Sequence, residues 1–170
     1  MDTAIPRLAT PRLVLRAFGP DDVDAYAAMC ADAEVMHHIG KGGPVGRDAA
    51  WGQLAFFLGH WPLRGCGMWA IEHEGRLIGR AGFIDPEGWP GLELGWLLAR
   101  DAWGHGFATE ACRAAMAHHR ARFGAGEVIS LIRPGNLRSI AVASRLGATL
   151  AREIDFMGAA AQVYRHPDAA

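Results

Sequence analysis

The sequence has few cysteines and no long apolar run. Its three cysteines, Cys30, Cys66 and Cys112, are odd in number, lie far apart and match no metal-binding or redox spacing. We interpret them as reduced thiols buried as small apolar groups. The first residues lack the apolar segment of a signal peptide, and no window holds the roughly 18 continuous apolar residues that a membrane span needs. We therefore expect a cytoplasmic protein that does not contact the membrane.

A strong charge of either sign is also absent. Seventeen lysine and arginine residues against eighteen aspartate and glutamate residues give a formal net charge of −1. This balance provides no broad electrostatic attraction for nucleic acid or anionic lipid, so we expect neither as a partner. The adjacent pairs His37 with His38 and His118 with His119 face different directions on a helix, so we predict no metal site.

The length and patterning predict a single layered domain over residues 1–170. With 51% hydrophobic residues the chain can bury one sizeable core but is too short for two ordinary domains. Alternating polar and apolar residues predict strands at residues 12–18, 68–72, 76–84, 92–99, 128–132, 149–156 and 161–165. Helical spacing predicts helices near residues 22–34, 48–59, 106–122 and 136–147. The expected fold class is α/β (α+β), a mixed and mostly antiparallel sheet of about seven strands flanked by about four helices.

A turn at residues 103–110 gives the strongest local signal. It reads Trp-Gly-His-Gly-Phe-Ala-Thr-Glu and lies where a strand gives way to a helix. Small residues let a diphosphate approach the backbone, and the first N–H groups of a helix are donors at the positive end of its dipole. The turn therefore predicts a phosphate-binding site, although such a glycine pair can also serve a tight turn alone.

A dinucleotide-binding βαβ unit is an alternative explanation of this turn, because Glu127 lies about twenty residues beyond it. In such a unit the acidic residue ends the second strand, whereas Glu127 precedes the apolar run at residues 128–132. The antiparallel strands before the turn are also wrong for a parallel nucleotide-binding sheet. We therefore disfavour this alternative.

Four stretches in a fixed order carry a resemblance to a known family. They are Thr-Pro-Arg-Leu-Val-Leu-Arg at 10–16, Glu-Leu-Gly-Trp-Leu-Leu at 93–98, Trp-Gly-His-Gly-Phe-Ala-Thr-Glu-Ala at 103–111, and Asn-Leu-Arg-Ser at 136–139 with Leu-Gly-Ala at 146–148. Together they resemble the GNAT superfamily of N-acyltransferases, and within it the RimJ/RimL-type acetyltransferase branch. The resemblance implies a single GNAT-like domain that moves an acetyl group from acetyl-coenzyme A to a primary amine. The amine would belong to a protein or peptide N-terminus or to a small molecule.

The resemblance places the coenzyme at the turn. The superfamily motif Gln/Arg-x-x-Gly-x-Gly/Ala matches Trp103, Gly106 and Ala108, and Trp103 departs from its first position. The resemblance implies that the phosphates bind main-chain amides of six residues: Gly104, His105, Gly106, Phe107, Ala108 and Thr109.

It also implies contacts on either side of the turn. Leu97 and Ala99 would pair their backbone groups with the pantetheine arm, as a further strand would. Asn136 and Ser139 would reach the coenzyme from the opposite side. Capping of the helix that follows Asn136 explains these two residues equally well, and the two roles are compatible.

Acyl transfer to an amine needs a base for the amine proton and an acid for the leaving thiolate. In this family a carboxylate on the central strand often acts as the base, and Glu93 matches it. Its apolar neighbours predict partial burial and a raised pKa, whereas a solvated position or a pairing with an arginine is the alternative. No cysteine lies in a context that suggests an acyl-enzyme, so we expect direct attack in a ternary complex.

The acid is less clear from the sequence. Many GNAT enzymes use a tyrosine on the helix after the asparagine, but neither Tyr26 nor Tyr164 lies there. Ser139, Ser144 or a water molecule could then protonate the leaving thiolate. Alternatively, the thiolate leaves without much help from an acid.

Three further questions stay open at this point. A catalytically silent sensor of acyl-coenzyme A and a transferase for a larger donor such as succinyl-coenzyme A are the alternative functions. The acceptor is either a peptide amine or a small-molecule amine. Exposed aromatic residues would favour a homodimer.

Overall fold

The computed structural model describes residues 4–168, whose strands form one sheet. The eight strands are β1 (Leu8–Ala9), β2 (Val14–Arg16), β3 (Met68–His73), β4 (Arg76–Ile84), β5 (Glu93–Leu98), β6 (Ile129–Ile132), β7 (Thr149–Phe156) and β8 (Ala159–Arg165). Their order is β1-β2-β3-β4-β5-β6-β8-β7, and only the β5–β6 pair is parallel among these strands. The mixed, mostly antiparallel sheet is thus confirmed, with the two-residue β1 added to the seven strands predicted.

Five helices flank the sheet. They are α1 (Val23–Ala31), α2 (Ala33–Met36), α3 (Arg47–Arg64), α4 (Phe107–Phe123) and α5 (Leu137–Arg145). The first predicted helix is divided at Asp32, whose backbone is extended and whose Oδ1 accepts the N–H of Glu34 at 2.9 Å to cap α2. The second predicted helix continues through Pro62 and ends before Gly65, which adopts a left-handed φ of 75°.

Two apolar clusters occupy the two faces of the sheet. Buried residues of α4, including Ala111, Cys112 and Met116, pack with one set of strand side chains. Buried residues of α1 and α3 pack with the other set, as side chains alternate between the faces. The three cysteines are all buried and free, as predicted.

The parallel strands β5 and β6 separate soon after they meet. Glu93 lies opposite Ile129, and the Ile129 N–H donates to Leu92 O at 2.9 Å. The next carbonyl of β5 that faces β6, that of Leu94, accepts the side-chain hydroxyl of Ser130 at 2.6 Å. From there β6 pairs with β8 while β5 stays paired with β4 as far as Leu98. A gap therefore opens between β5 and β6.

Candidate active site

Two cavities meet at this gap. The first, which we call the turn cavity, has a volume of about 710 Å³ and is lined by the end of β5, residues 102–109 and α5. The second, the Glu93 cavity, has a volume of about 390 Å³ and is lined by residues of α3, β4, β5, β6 and the β7–β8 hairpin. Both cavities are lined by His38, Ile39, Trp96, Asn136 and Ser139. The shared lining shows that the two cavities adjoin between the turn and Glu93.

The turn has the geometry of an anion site. Gly104 and Gly106 adopt left-handed φ angles of 80° and 78°, which glycine tolerates without strain. Helix α4 begins at Phe107, and its first backbone hydrogen bond runs from Glu110 N–H to Gly106 O at 3.1 Å. The amides before Glu110 have no helical acceptor and lie at the positive end of the helix dipole. All six residues predicted for the phosphates line the turn cavity: Gly104, His105, Gly106, Phe107, Ala108 and Thr109.

The N-terminal stretch holds the turn in place. Arg12 donates to Glu110 Oε2 at 2.7 Å and to the His105 carbonyl at 2.8 Å, and Thr10 Oγ1 donates to Glu110 Oε1 at 2.6 Å. Burial acts to raise the pKa of the Glu110 carboxyl, but the hydrogen bonds from Thr10 and Arg12 outweigh it and keep that pKa below its usual value. This network explains why the Thr-Pro-Arg stretch accompanies the turn in the sequence.

The backbone groups that face the gap differ from those predicted. The Ala99 N–H donates to Ile78 O at 2.8 Å, and Leu97 is paired with Arg80 across β4. Because peptide groups alternate between the two edges of a strand, those of Trp96 and Leu98 face the gap instead. The expected pairing of pantetheine with Leu97 and Ala99 is therefore corrected by one residue. The Leu98 carbonyl also accepts the Trp103 indole N–H at 3.0 Å, which fixes the end of β5 to the turn.

Glu93 points its carboxylate into the cavity named after it. The side chain is half-buried, and the Trp89 indole N–H donates to Oε2 at 2.6 Å. Burial raises the pKa of the Glu93 carboxyl, and the Trp89 hydrogen bond, the charge of Arg80 and a backbone N–H of Leu131 counter this only in part. The solvated position considered as an alternative does not occur. A carboxylate of raised pKa beside the gap is suited to accept a proton near neutral pH.

The residues predicted on α5 lie in different places. Asn136 Oδ1 accepts the Ser139 N–H at 3.3 Å and so caps α5, and both residues line both cavities. Ser144 is exposed, lines neither cavity and donates to Ile140 O at 2.9 Å. Five residues along a helix correspond to a rotation of about 140°, which turns Ser144 away from the side that Ser139 presents. The structure therefore does not bring Ser144 to the site.

Arginines on α5 were missed by the sequence analysis. The Arg138 guanidinium lies 4.2 Å from the centroid of the Trp103 ring, and Arg138 and Arg145 both line the turn cavity. Their spacing of two helical turns puts both cations on one face, and this spacing was the available signal. Trp103 therefore positions a cation beside the turn although it departs from the Gln/Arg of the superfamily motif.

Within residues 4–168, no group of three or more histidine, cysteine, aspartate or glutamate side chains is placed to hold a metal ion. None of the helices there has both the length and the hydropathy for crossing a bilayer.

A helix start that can bind an anion, an open strand edge and a carboxylate thus meet at one gap, the arrangement of a group-transfer enzyme with a phosphate-bearing donor. The chain belongs to the GNAT acetyltransferase family, whose domain it matches over residues 12–149. This finding confirms the superfamily that the motifs indicated.

Similar proteins agree with this assignment. The structure of an acetyltransferase from Agrobacterium tumefaciens C58 is 32% identical, with 96% of this chain and 95% of that chain covered and a TM-score of 0.86. RimL, a ribosomal L7/L12 alpha-N-protein acetyltransferase solved with coenzyme A, covers 95% of this chain and 97% of its own at a TM-score of 0.78. Its 19% identity shows a shared fold alone. The uncharacterised protein YkkB of Bacillus subtilis strain 168 is 33% identical over 94 residues, so the match spans 53% of this chain and about half of that relative's length, 55%.

Proposed function

We propose that the protein transfers an acetyl group from acetyl-coenzyme A to a primary amine by direct attack in a ternary complex. The observation that carries the proposal is the meeting of the turn cavity with the Glu93 cavity at the gap between β5 and β6. Two substrates that enter from opposite sides would meet there. A volume of about 710 Å³ is ordinary for a cavity that binds a coenzyme-sized molecule.

The donor would bind through its phosphates and its pantetheine arm. The amides of residues 104–109 face the pyrophosphate, and Arg138 and Arg145 supply positive charge on the same side. The arm then follows the β5 edge past Trp96 and Leu98, as an added strand would. This path brings the thioester to the place where the cavities join.

The acceptor would react beside Glu93. Glu93 takes a proton from the ammonium group, directly or through water, and the neutral amine attacks the thioester carbonyl carbon. The C–N bond forms, the nitrogen of the tetrahedral intermediate gives up its second proton as the intermediate collapses, and the C–S bond breaks. This second proton reaches the leaving thiolate through Ser139, which lines both cavities, or through a water molecule, so that the thiol forms and the relay is restored.

Acceptor-dependent release of thiol from acetyl-coenzyme A tests this function. Peptides with free N-termini and small primary amines are supplied separately, because RimL, a protein of similar fold, acts on a protein α-amine. We expect thiol release that depends on one of these amines and is faster with acetyl-coenzyme A than with succinyl-coenzyme A. Binding of acetyl-coenzyme A with no thiol release for any amine would instead support the acyl-coenzyme A sensor.

A further inference from the structure

Arg80 is a cation of the Glu93 cavity whose direct contact partners are neutral side chains. It lies on β4, half-buried, with its Nε donating to Tyr26 Oη at 3.0 Å and its guanidinium 5.0 Å from the centroid of the Phe57 ring. Tyr26 in turn donates to Gln53 Oε1 at 2.8 Å, so the guanidinium is held in a fixed orientation. The ion pairs found within residues 4–168 all involve other arginines.

This arrangement leaves hydrogen-bonding capacity on Arg80. A guanidinium has five N–H donors, and within residues 4–168 its hydrogen bonds use Nε and, at 3.8 Å to Met68 Sδ, Nη1. A thioether sulfur is a weak acceptor. Glu93 is the carboxylate whose charge interacts with Arg80 across the cavity, but within residues 4–168 no carboxylate lies within ion-pair distance of the guanidinium. The remaining N–H donors can therefore bind an anion that enters the cavity.

Two glycines, Gly82 and Gly95, form the sheet surface between Arg80 and Glu93, which we call the glycine floor. Gly82 pairs with Gly95 across β4 and β5, between the Arg80–Leu97 and Ile84–Glu93 pairs. A Cβ placed on Gly95 would lie 3.1 Å from Met68 Cε and 3.7 Å from Glu93 Oε1. Met68 also contacts Arg80, so the cation and the carboxylate flank one thioether over this floor. Arg80 and Glu93 thus line the same cavity on either side of one methionine.

The charges that line the Glu93 cavity are unequal in number. Its lining contains one carboxylate, Glu93, and two arginines, Arg80 and Arg133. Arg133 donates to the backbone carbonyls of Gly40, Phe156 and Ala160 and so is already engaged. An acceptor that brings only positive charge would engage Glu93 and leave Arg80 without a carboxylate in direct contact. An acceptor that brings a carboxylate as well would compensate it.

We propose that the acceptor is a primary amine that also carries a carboxylate, with the amine at Glu93 and the carboxylate on Arg80. An amino acid with a free carboxyl group has this chemistry. Arginine binds a carboxylate through two parallel hydrogen bonds, which would fix the direction in which the amine points. The inference rests on the proposed transferase function and names the substrate class of that same site.

The test compares free amino acids with their carboxamides as acceptors, at saturating acetyl-coenzyme A and pH 7.5. The carboxamide keeps the shape but loses the negative charge, and its amine pKa near 8 makes it no poorer a nucleophile. We expect the wild-type protein to prefer the free acids by about 10- to 100-fold in kcat/KM, the usual effect of a hydrogen bond to a charged group. Arg80→Gln is expected to abolish this preference by lowering kcat/KM much more for the free acids than for the carboxamides, since loss of the Arg80 charge also raises the pKa of Glu93 and slows both to the same degree.

Arg76→Gln is the matched control, because Arg76 lies on the same strand but is exposed and paired with Asp101. It should keep the preference of the wild type. Equal use of acids and carboxamides by the wild type, or an equal loss for both with Arg80→Gln, would overturn the proposal while leaving the transferase function intact. No turnover of any amine by a protein that binds acetyl-coenzyme A would instead contradict the transferase function itself.

Discussion

Glu93 is the first residue of β5 and lies beside the gap. Its surroundings set the pH range in which its carboxylate can accept a proton. Burial raises the pKa of its carboxyl, so the group is protonated and inactive as a base over more of the acidic range than an exposed glutamate is. The Trp89 indole holds one oxygen and leaves the carboxylate oriented toward the cavity. The proton-accepting form is therefore the ionised form present at higher pH.

We predict that Glu93→Gln lowers kcat by about 10²- to 10⁴-fold, the range expected for loss of a general base, with unchanged affinity for acetyl-coenzyme A. In the wild type, kcat/KM should fall as the pH drops through the raised pKa of Glu93, and the variant should lack this dependence. Initial rates between pH 5 and 9 measure both effects. Glu87→Gln, at an exposed glutamate paired with Arg64, is the control and should match the wild type.

Stability gives a second measure of the same residue. A carboxyl whose pKa is raised on folding favours the protonated folded state, so its contribution to stability is lost as the pH rises through the raised pKa. Glu93→Gln should therefore unfold at the same temperature as the wild type or a higher one at pH 8. A large drop in Tm would mean that lost activity reflects damage to the fold.

At the level of single residues, the sequence predicts what side-chain type and motif spacing determine. The sequence singles out Glu93 and the turn. It also predicts that the peptide groups of Leu97 and Ala99 face the gap, whereas those of Trp96 and Leu98 do so in the structure. Strand alternation shows which side chains share a face, whereas the edge that a peptide group faces depends on which neighbouring strand it bonds. That register comes from long-range pairing with β4. Ser144 lies about 140° around α5 from Ser139, so its place five residues along the chain does not bring it to the site.

The turn before α4 is the element on which the proposed donor binding depends. Its glycines at positions 104 and 106 have positive φ angles, and a Cβ on Gly106 would lie 3.6 Å from Arg12 Nη2. A side chain at position 106 would therefore strain chiefly the backbone rather than clash with a neighbour. That strain would displace the amides that face the cavity.

We predict that Gly106→Ala destabilises the fold by about 1–2 kcal/mol and weakens acetyl-coenzyme A binding by roughly 5- to 30-fold, because the left-handed conformation is costly for alanine. Chemical denaturation and direct titration measure the two quantities. Gly126→Ala is a matched control, since Gly126 lacks a positive φ and a Cβ there meets nothing within 4 Å. Wild-type affinity in Gly106→Ala would show that the turn amides do not hold the donor.

The helices and strands were largely predictable because hydrophobic periodicity and turn residues are local signals. The exceptions have tertiary causes. Helix α3 continues through Pro62 while its buried face, including Leu54 and Phe57, packs with α1 and the sheet. The two residues of β1 form a strand only through pairing with β2. Neither effect leaves a periodic pattern that the sequence alone reveals.

At the scale of the whole molecule, the separation of β5 from β6 creates the site. Three parts of the chain that are distant in sequence meet there: the turn, α5 and the Glu93 region with its Trp89 loop. Exposed apolar side chains such as Trp51 and Leu63 lie on α3, and the homodimer expected from exposed aromatic residues stays a prediction.

Calorimetric titration with acetyl-coenzyme A tests the central claim most directly, because every functional step proposed here begins with donor binding at the turn. Dephospho-coenzyme A, NAD and buffer serve as comparison titrants. We predict binding of acetyl-coenzyme A at micromolar or lower Kd, with no comparable binding of NAD, and a weaker Kd in Gly106→Ala. No binding of acetyl-coenzyme A to the folded wild-type protein would contradict the account.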